Sequence, residues 1–208
     1  MIILQDMKAT LPNTTTINKT SETLTAHGFT VHVAQDGQHA KKLALSLMPE
    51  GSEVMTMTSV TLDSIGLSDV VNEGTKYNAV KPKLYSMDRA KDGKEMNRMG
   101  SAPEIVIGSV HAITQNGEVV IASNTGSQLP AYAYGSQKVI WVVSTKKIVE
   151  NLDAAMKRIY EVVLPLESER ARIAYGVAGS NVSKLLIVNN EIVPNRVHII
   201  LVEEDLGY

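Results

Sequence analysis

The sequence predicts an α/β fold: a single domain on a mostly parallel sheet, mixed at its edge and flanked by helices. Three observations predict it. Seven short runs rich in Val, Ile and Leu are spread along 208 residues, with segments of helical period between several of them, the pattern of strand–helix–strand units. Hydrophobic residues make up 44% of the chain, enough to bury one full core. With one Phe and one Trp, that core must be aliphatic, and aromatic platforms for stacking nucleic-acid bases are not expected.

The elements follow in order. Residues 1–14 are an N-terminal extension to which the sequence assigns no structure, and the domain proper runs 15–208. Thr16 to His27 reads as a helix stopped by Gly28. Phe29–Ala34 and Ser52–Met57 are strands. Between them Ala40, Leu43, Ala44 and Leu47 repeat at i, i+3, i+4 and i+7, with Asp36 placed as N-cap, so a helix crosses from one parallel strand to the next. The charged stretch Tyr77 to Gly100 is either a solvated helix or a mobile lid, with Lys91-Asp92-Gly93 suggesting a break. Glu104–Gly108 and Glu118–Ser123 are strands. The turn Gln115–Glu118, centred on Asn116-Gly117, makes Ile113 and Val119 part of a hairpin or of a loop re-entering the sheet. A short helix that Pro130 helps to start precedes the strand Lys138–Ser144. Ile148, Leu152, Ala155, Met156, Ile159 and Val163 draw a second apolar helical stripe, which Pro165 is expected to end. The last strands, Lys184–Asn189 and Arg196–Glu203, read as a hairpin or short excursion.

Charge and composition narrow the function. A formal net charge of −2 provides no long-range field for nucleic acid or an acidic membrane surface, so neither is expected as a partner. The absence of cysteine excludes disulfides, an iron–sulfur cluster and a thiolate zinc site. The five histidines share no metal-ligand spacing, and no metal is expected. The N-terminus lacks a basic leader pattern, and no run approaches the ~18–20 apolar residues that would cross a bilayer, so a soluble, cytoplasmic protein is expected. No P-loop, no G-x-G-x-x-G after a strand, no H-E-x-x-H and no G-x-S-x-G elbow occurs, which argues against P-loop NTPases, simple dinucleotide dehydrogenases, zincins and α/β-hydrolases.

Three groups of residues are candidates for a site. Ser59 and Thr61 follow the strand ending near Met57 and open a helix, where hydroxyls and free N–H groups favour an anion; one of them could equally be a plain helix cap. Thr125, Gly126 and Ser127 follow the strand ending at Ser123, and small residues there let a ligand approach the backbone. His111, in the stretch between, could shuttle a proton, donate to an oxyanion, or be a structural hydrogen-bonding residue. The third group is basic: Lys146 and Lys147 follow the strand Lys138–Ser144, where α/β ligand crevices open, and Arg158, Arg170 and Arg172 come later. Glu118 and Glu104 are candidate acids or nucleophiles only if buried beside the ligand.

The segments SVTLDSIGL, GSVHAITQNGEVVIAS, TGSQLPAYAYGSQKVIWVVSTKKIV and LDAAMKRIYEVVLPLESERAR, in this order, resemble the LUD domain, the lactate-utilisation family, over nearly the whole chain. The resemblance implies the fold group of sugar-phosphate isomerases, glucosamine-phosphate deaminases and CoA transferases. The family's S-x-T-L-x-E-I-G falls on Ser59, Thr61, Leu62, Ser64, Ile65 and Gly66, and its Asn-Ala-Ile-Thr with a glycine turn on His111, Ala112, Ile113, Thr114 and Gly117. Its Lys-Ile-Val falls on Lys147, Ile148 and Val149, and its Pro with a downstream Arg on Pro165 and Arg170. The chain departs from the pattern at Met57 and Ser64, where the family has Gly and Glu, at Gly126-Ser127-Gln128, where it has Gly-Asn-Arg, and at His111, which replaces an amide.

The expectation is therefore an accessory or ligand-binding component of a lactate-utilisation system, holding a small anionic metabolite at Ser59, Thr61, Thr125, Gly126, Ser127, Lys147 and Arg170. The resemblance implies iron–sulfur proteins of lactate oxidation as partners; a homo-oligomer is left open, and no cofactor is named. The alternative is an enzyme of the same fold group, a sugar-phosphate isomerase or acyl-CoA transferase, with His111 and Glu118 catalytic. A purely partner-binding protein is the third possibility.

Overall fold

In a computed structural model that describes residues 10–208, the chain runs α1 (Thr14–Ala26), β1 (Thr30–Ala34), α2 (Gly37–Ser46), β2 (Glu53–Thr56), α3 (Val60–Ser64), α4 (Leu67–Asn72), β3 (Asn78–Ala79), α5 (Val80–Ser86) and α6 (Arg89–Ser101). It continues through β4 (Ile105–Gly108), β5 (Ala112–Thr114), β6 (Val119–Ser123), a π-turn at Ala131–Gly135, β7 (Lys138–Ser144), a 3₁₀ turn at Thr145–Lys147 and β8 (Ile148–Val149). The last part is α7 (Leu152–Arg158), a π-turn at Ile159–Val163, α8 (Leu164–Tyr175), β9 (Lys184–Val188) and β10 (Val197–Val202). Residues 1–9 of the predicted extension lie outside the described residues.

Six strands form a wholly parallel sheet in the order β1-β10-β7-β4-β2-β3. All seven predicted strands are present, but they are divided between two sheets. β6 and β9 belong to a smaller, mixed sheet in the order β8-β5-β6-β9, inserted where the chain leaves the main sheet after β4 and after β7.

Alternation along β7 shows why the layers stack as they do. Val139, Trp141 and Val143 face the smaller sheet and α1, packing with Leu24, Phe29, Ile113, Val119 and Ile121. Ile140 and Val142 point the other way, onto Ala40, Ala44, Leu62, Leu67 and Val71 of α2, α3 and α4. A strand with both faces covered reads as a continuous apolar run, as KVIWVVS does. Ala112, Val120 and Ala122 on the outer face of the smaller sheet pack under Ala155 and Ile159.

Helix ends follow the expected chemistry. Asn13 Oδ1 accepts from the Thr16 N–H at 2.9 Å and Asp36 Oδ1 from the His39 N–H at 2.7 Å. Gly28, at φ +87°, ends the α1 region, and a Cβ there would come 2.0 Å from the Glu191 carbonyl oxygen.

Three local expectations are corrected. β9 and β10 are not a hairpin, because β9 pairs antiparallel with β6 and β10 lies between β1 and β7. Pro165 does not end its helix. The π-turn before it resets the hydrogen-bond register, the Leu164 N–H reaching back to the Ile159 carbonyl, so Pro165 falls in the first turn of α8, where a missing N–H costs little. Gly93 lies inside α6 and breaks nothing.

Candidate functional site

Because the main strands are parallel and in register, β2, β4 and β7 all end on one rim, Thr56 beside Ile107 and Gly108 beside Trp141. A cleft of about 730 Å³ opens there, at the carboxyl ends where α/β folds hold ligands. Gly108 has to be glycine: a Cβ would stand 1.8 Å from the Tyr132 hydroxyl oxygen. Burial pushes that phenol's pKa up, and the Tyr132 ring meets Trp141 edge-on with centroids 5.4 Å apart. This packing fixes where the backbone turns into Ser109-Val110-His111.

The structure brings most of the sequence candidates to the cleft. Ser59, Thr61, His111, Thr125, Ser127, Lys147 and Arg170 all line it, and Gly126 lines an adjoining chamber. Ser59 caps α3, its Oγ accepting from the Leu62 N–H at 3.4 Å, so the capping role and the cleft position coexist. Gln128 stands where the family resemblance has an arginine. It braces the loop, accepting from Ser123 Oγ at 2.8 Å and donating to the Ala122 carbonyl at 3.3 Å.

Lys147 is the centre of the site. It is 2% exposed, and its Nζ donates to the Val110 carbonyl at 3.1 Å, Ser109 Oγ at 3.2 Å and Thr61 Oγ1 at 3.4 Å. All three acceptors are neutral, and no carboxylate lies within ion-pair distance of it among the described residues. Burial, with Arg158 and Lys146 nearby, brings its ammonium pKa down to about 7. Arg158 itself has a buried Nη1 without a hydrogen-bond partner, and burial lowers it to about 10. Lys146 differs from its neighbour: it is ion-paired with Asp205.

His111 Nδ1 accepts the Ala122 N–H at 3.1 Å. An amide can only donate, so the ring hydrogen is on Nε2, and the imidazole offers a donor, not an acceptor, on its other edge. Burial first, then Lys147 and Arg158, depress its pKa to about 3, against a raising contribution from Glu167. At neutral pH it is a fixed hydrogen-bond donor and a poor base.

Glu167 was not anticipated from sequence, nor were Tyr208, Lys81 and Arg89, all of which line the cleft. Burial would raise the Glu167 carboxyl, but hydrogen bonds from Arg170, at 2.7 and 2.8 Å, and from the Tyr208 hydroxyl, at 2.6 Å, hold it below the usual carboxylate range. The Arg170 guanidinium is raised in turn, chiefly by its hydrogen bonds to Glu167. Lys81 is lowered, mainly by burial, despite Asp63 nearby. Arg172 pairs with Glu169 at 2.8 Å.

The glutamates expected as acids or nucleophiles are elsewhere. Glu118 sits at the hairpin turn, bonded to Thr114 Oγ1, and is not among the cleft residues. Glu104 accepts from the Glu53 N–H at 3.1 Å, near the opposite end of β4, because parallel strands place that strand's start away from the rim. Neither lines the cleft.

Among the described residues no group of three or more His, Asp or Glu could hold a metal ion, and no helix is long and apolar enough to cross a membrane.

A DUF162 family protein from Deinococcus radiodurans shares this architecture: its crystal structure superposes with a TM-score of 0.55 at 12% identity, over 93% of this chain and 99% of that one. Among curated proteins none matches the chain. The LUD domain model matches residues 17–202, across both sheets and every strand that shapes the cleft, and the chain therefore belongs to the LUD domain family.

Proposed function

We propose that the protein binds a small organic anion in the cleft, as an accessory or ligand-binding component in a lactate-utilisation role. The observation that carries this reading is Lys147, a buried cation held only by neutral oxygens, with the unpartnered Arg158 Nη1 buried close enough to depress it. Keeping a cation out of water without a counter-charge is costly, and a ligand carboxylate or phosphate would supply that charge. His111 Nε2–H and the hydroxyls of Ser59, Thr61 and Ser109 would complete the donors, with Lys81, Arg89 and Arg170 also lining the cleft. Membership of the LUD family is consistent with the lactate-utilisation role. In that role electron transfer would fall to iron–sulfur partners, since this chain has no cysteine to hold a cluster, and the setting would be cytoplasmic.

An enzymatic alternative, sugar-phosphate isomerase or acyl-CoA transferase, finds less support. His111 is a weak base, Glu118 lies outside the cleft, and of the two carboxylates that line it Glu167 is occupied by Arg170 and Tyr208 and Asp63 accepts from the Ser68 hydroxyl.

The test is thermal stabilisation and calorimetric titration with lactate, pyruvate, sugar phosphates and acyl-CoAs on the wild type, Lys147→Met and Thr61→Ala. A ligand at about 100 times its Kd adds about 2.7 kcal/mol of stability. Stabilisation by an anion that Lys147→Met abolishes supports the reading; stabilisation equal in both proteins, or none with any anion, refutes it.

A further inference from the structure

The three oxygens around Lys147 Nζ suit two protonation states of the amine. The Val110 carbonyl, at 3.1 Å, can only accept, but Ser109 Oγ at 3.2 Å and Thr61 Oγ1 at 3.4 Å are hydroxyls, which accept or donate as required. An ammonium uses all three as acceptors. A neutral amine donates its two N–H groups and takes a hydroxyl hydrogen on its lone pair, with no partner lost. A carboxylate would have locked the charged form, and among the described residues none pairs with this lysine.

The surroundings favour the neutral form further. Nζ is buried, yet the side chain lines the cleft, and apolar side chains, Met57, Met96 and Val163 among them, line the same space. Burial and the nearby Arg158 and Lys146 all press the proton off. A desolvated lysine of this kind is a nucleophile toward carbonyl carbon. The hydroxyl contacts are long and are readily given up when the lone pair is needed.

Resting on the anion-binding reading of the same cleft, we propose that Lys147 is also a nucleophile, and that the anion it receives is a 2-oxo acid whose ketone carbon condenses with Nζ to form an imine. The nitrogen attacks the ketone carbon, and the C=O electron pair moves to oxygen, which takes the proton that the nitrogen sheds. A solvent proton then lets that oxygen leave as water while the nitrogen lone pair closes the C=N bond. The iminium keeps one N–H, which the Val110 carbonyl accepts, and one positive charge. The acid's own carboxylate, one bond from the imine carbon, supplies the counter-charge that the fold leaves out. His111 Nε2–H, close enough for Lys147 to depress its ring, offers a hydrogen bond to the ketone oxygen as charge builds there.

The experiment is reductive trapping. The wild type is incubated with pyruvate and cyanoborohydride at pH 7, and the adduct is located by peptide mapping; acetone, which lacks the carboxylate, is run in parallel, and pyruvate and lactate are titrated calorimetrically. With its pKa near 7, Lys147 holds about a thousand times the neutral amine of an exposed lysine at pH 7, so early labelling should fall on Lys147 alone. Acetone should label it far more slowly, and lactate, which has no ketone, should bind without forming an adduct. Lys147→Met, checked for folding by circular dichroism, should lose the adduct. Labelling spread evenly over surface lysines, or none, overturns the covalent step even where calorimetry shows an anion bound at Lys147, and the anion-binding reading then stands. Equal labelling by acetone and pyruvate overturns the assignment of a 2-oxo acid. If no anion binds and no adduct forms, both readings fall together.

Discussion

Two buried cations at opposite ends of the main sheet are treated in opposite ways. Arg196, 8% exposed at the start of β10, has its charge met within the chain. Its Nη1 pairs with Glu191 at 2.7 Å, its Nε donates to the Ser136 carbonyl at 3.0 Å and its Nη2 to the Tyr132 carbonyl at 2.9 Å. It thereby closes the carbonyl end of the π-turn that carries Tyr132 against Gly108. Lys147, at the carboxyl ends of the strands, is just as buried but has only neutral oxygens around it. A cation whose counter-charge is built in serves the fold, whereas one without a counter-charge is where the proposed anion would supply it.

The comparison breaks most directly at Arg196. Arg196→Ala leaves the Glu191 carboxylate buried and unpaired and strips partners from the Tyr132 and Ser136 carbonyls. Removing one partner of a buried pair costs about 3–5 kcal/mol, so urea denaturation should show a loss of that size. A loss below about 1 kcal/mol would place Arg196 among ordinary surface pairs and remove the contrast.

Lys147 should show the reverse. Its native pKa, about 7, lies below the 10.5 of an unfolded lysine, so between these values the unfolded chain binds the extra proton and the native protein does not. Stability then rises with pH across the window, by about 2 kcal/mol from pH 7 to 9. Lys147→Met should remove that rise and be no less stable than the wild type at pH 7, because it relieves an unpaired buried charge. Denaturation curves at pH 7, 8 and 9 for both proteins decide it; parallel profiles would mean that Lys147 is hydrated or paired in solution.

Much of the site was legible because it is local. Strand ends, caps and small-residue loops are written in consecutive residues, and Ser59, Thr61, His111, Thr125, Ser127 and Lys147 could be picked from such stretches before any tertiary contact was known. What escaped depended on contacts far apart in sequence. Glu167 and Tyr208 are 41 positions apart and meet only when α8 crosses the rim. Lys81, Arg89 and Met96 were hidden in a charged stretch that sequence marked only as a solvated helix or a lid. The fold followed the same rule. Apolar periodicity revealed all seven longer strands, but β3 and β8, at two residues each, are too short to show any period. Nothing within β9 or β10 says that they pair in different sheets, because strand partners are chosen by the whole core. Pro165 misled because the π-turn that accommodates it is a register change invisible to an i, i+3, i+4 count.

His111 gives the sharpest test of how cationic the cleft floor is. In the native protein its pKa is about 3, against the 6.5 of an ordinary imidazole. As pH falls from 6.5 toward 3 the unfolded chain takes up a proton that the native imidazole refuses, so stability declines across that window and levels off below it. His111→Asn keeps a side-chain donor but cannot be charged. Relative to its own value at pH 7, it should therefore lose about 2 kcal/mol less than the wild type at pH 5. Two causes are mixed in the wild-type value, burial and the repulsion of Lys147 and Arg158, and an anion can separate them. A carboxylate bound at Lys147 cancels the repulsion while leaving the ring buried, so following the imidazole by NMR titration with and without ligand should show its pKa rise on binding. A ring that titrates near 6.5 without ligand would mean that the floor is neither dry nor positive. A depressed pKa that does not move when the acid binds would assign the shift to burial alone and place the acid away from Lys147, making that lysine a structural counterpart of Arg196.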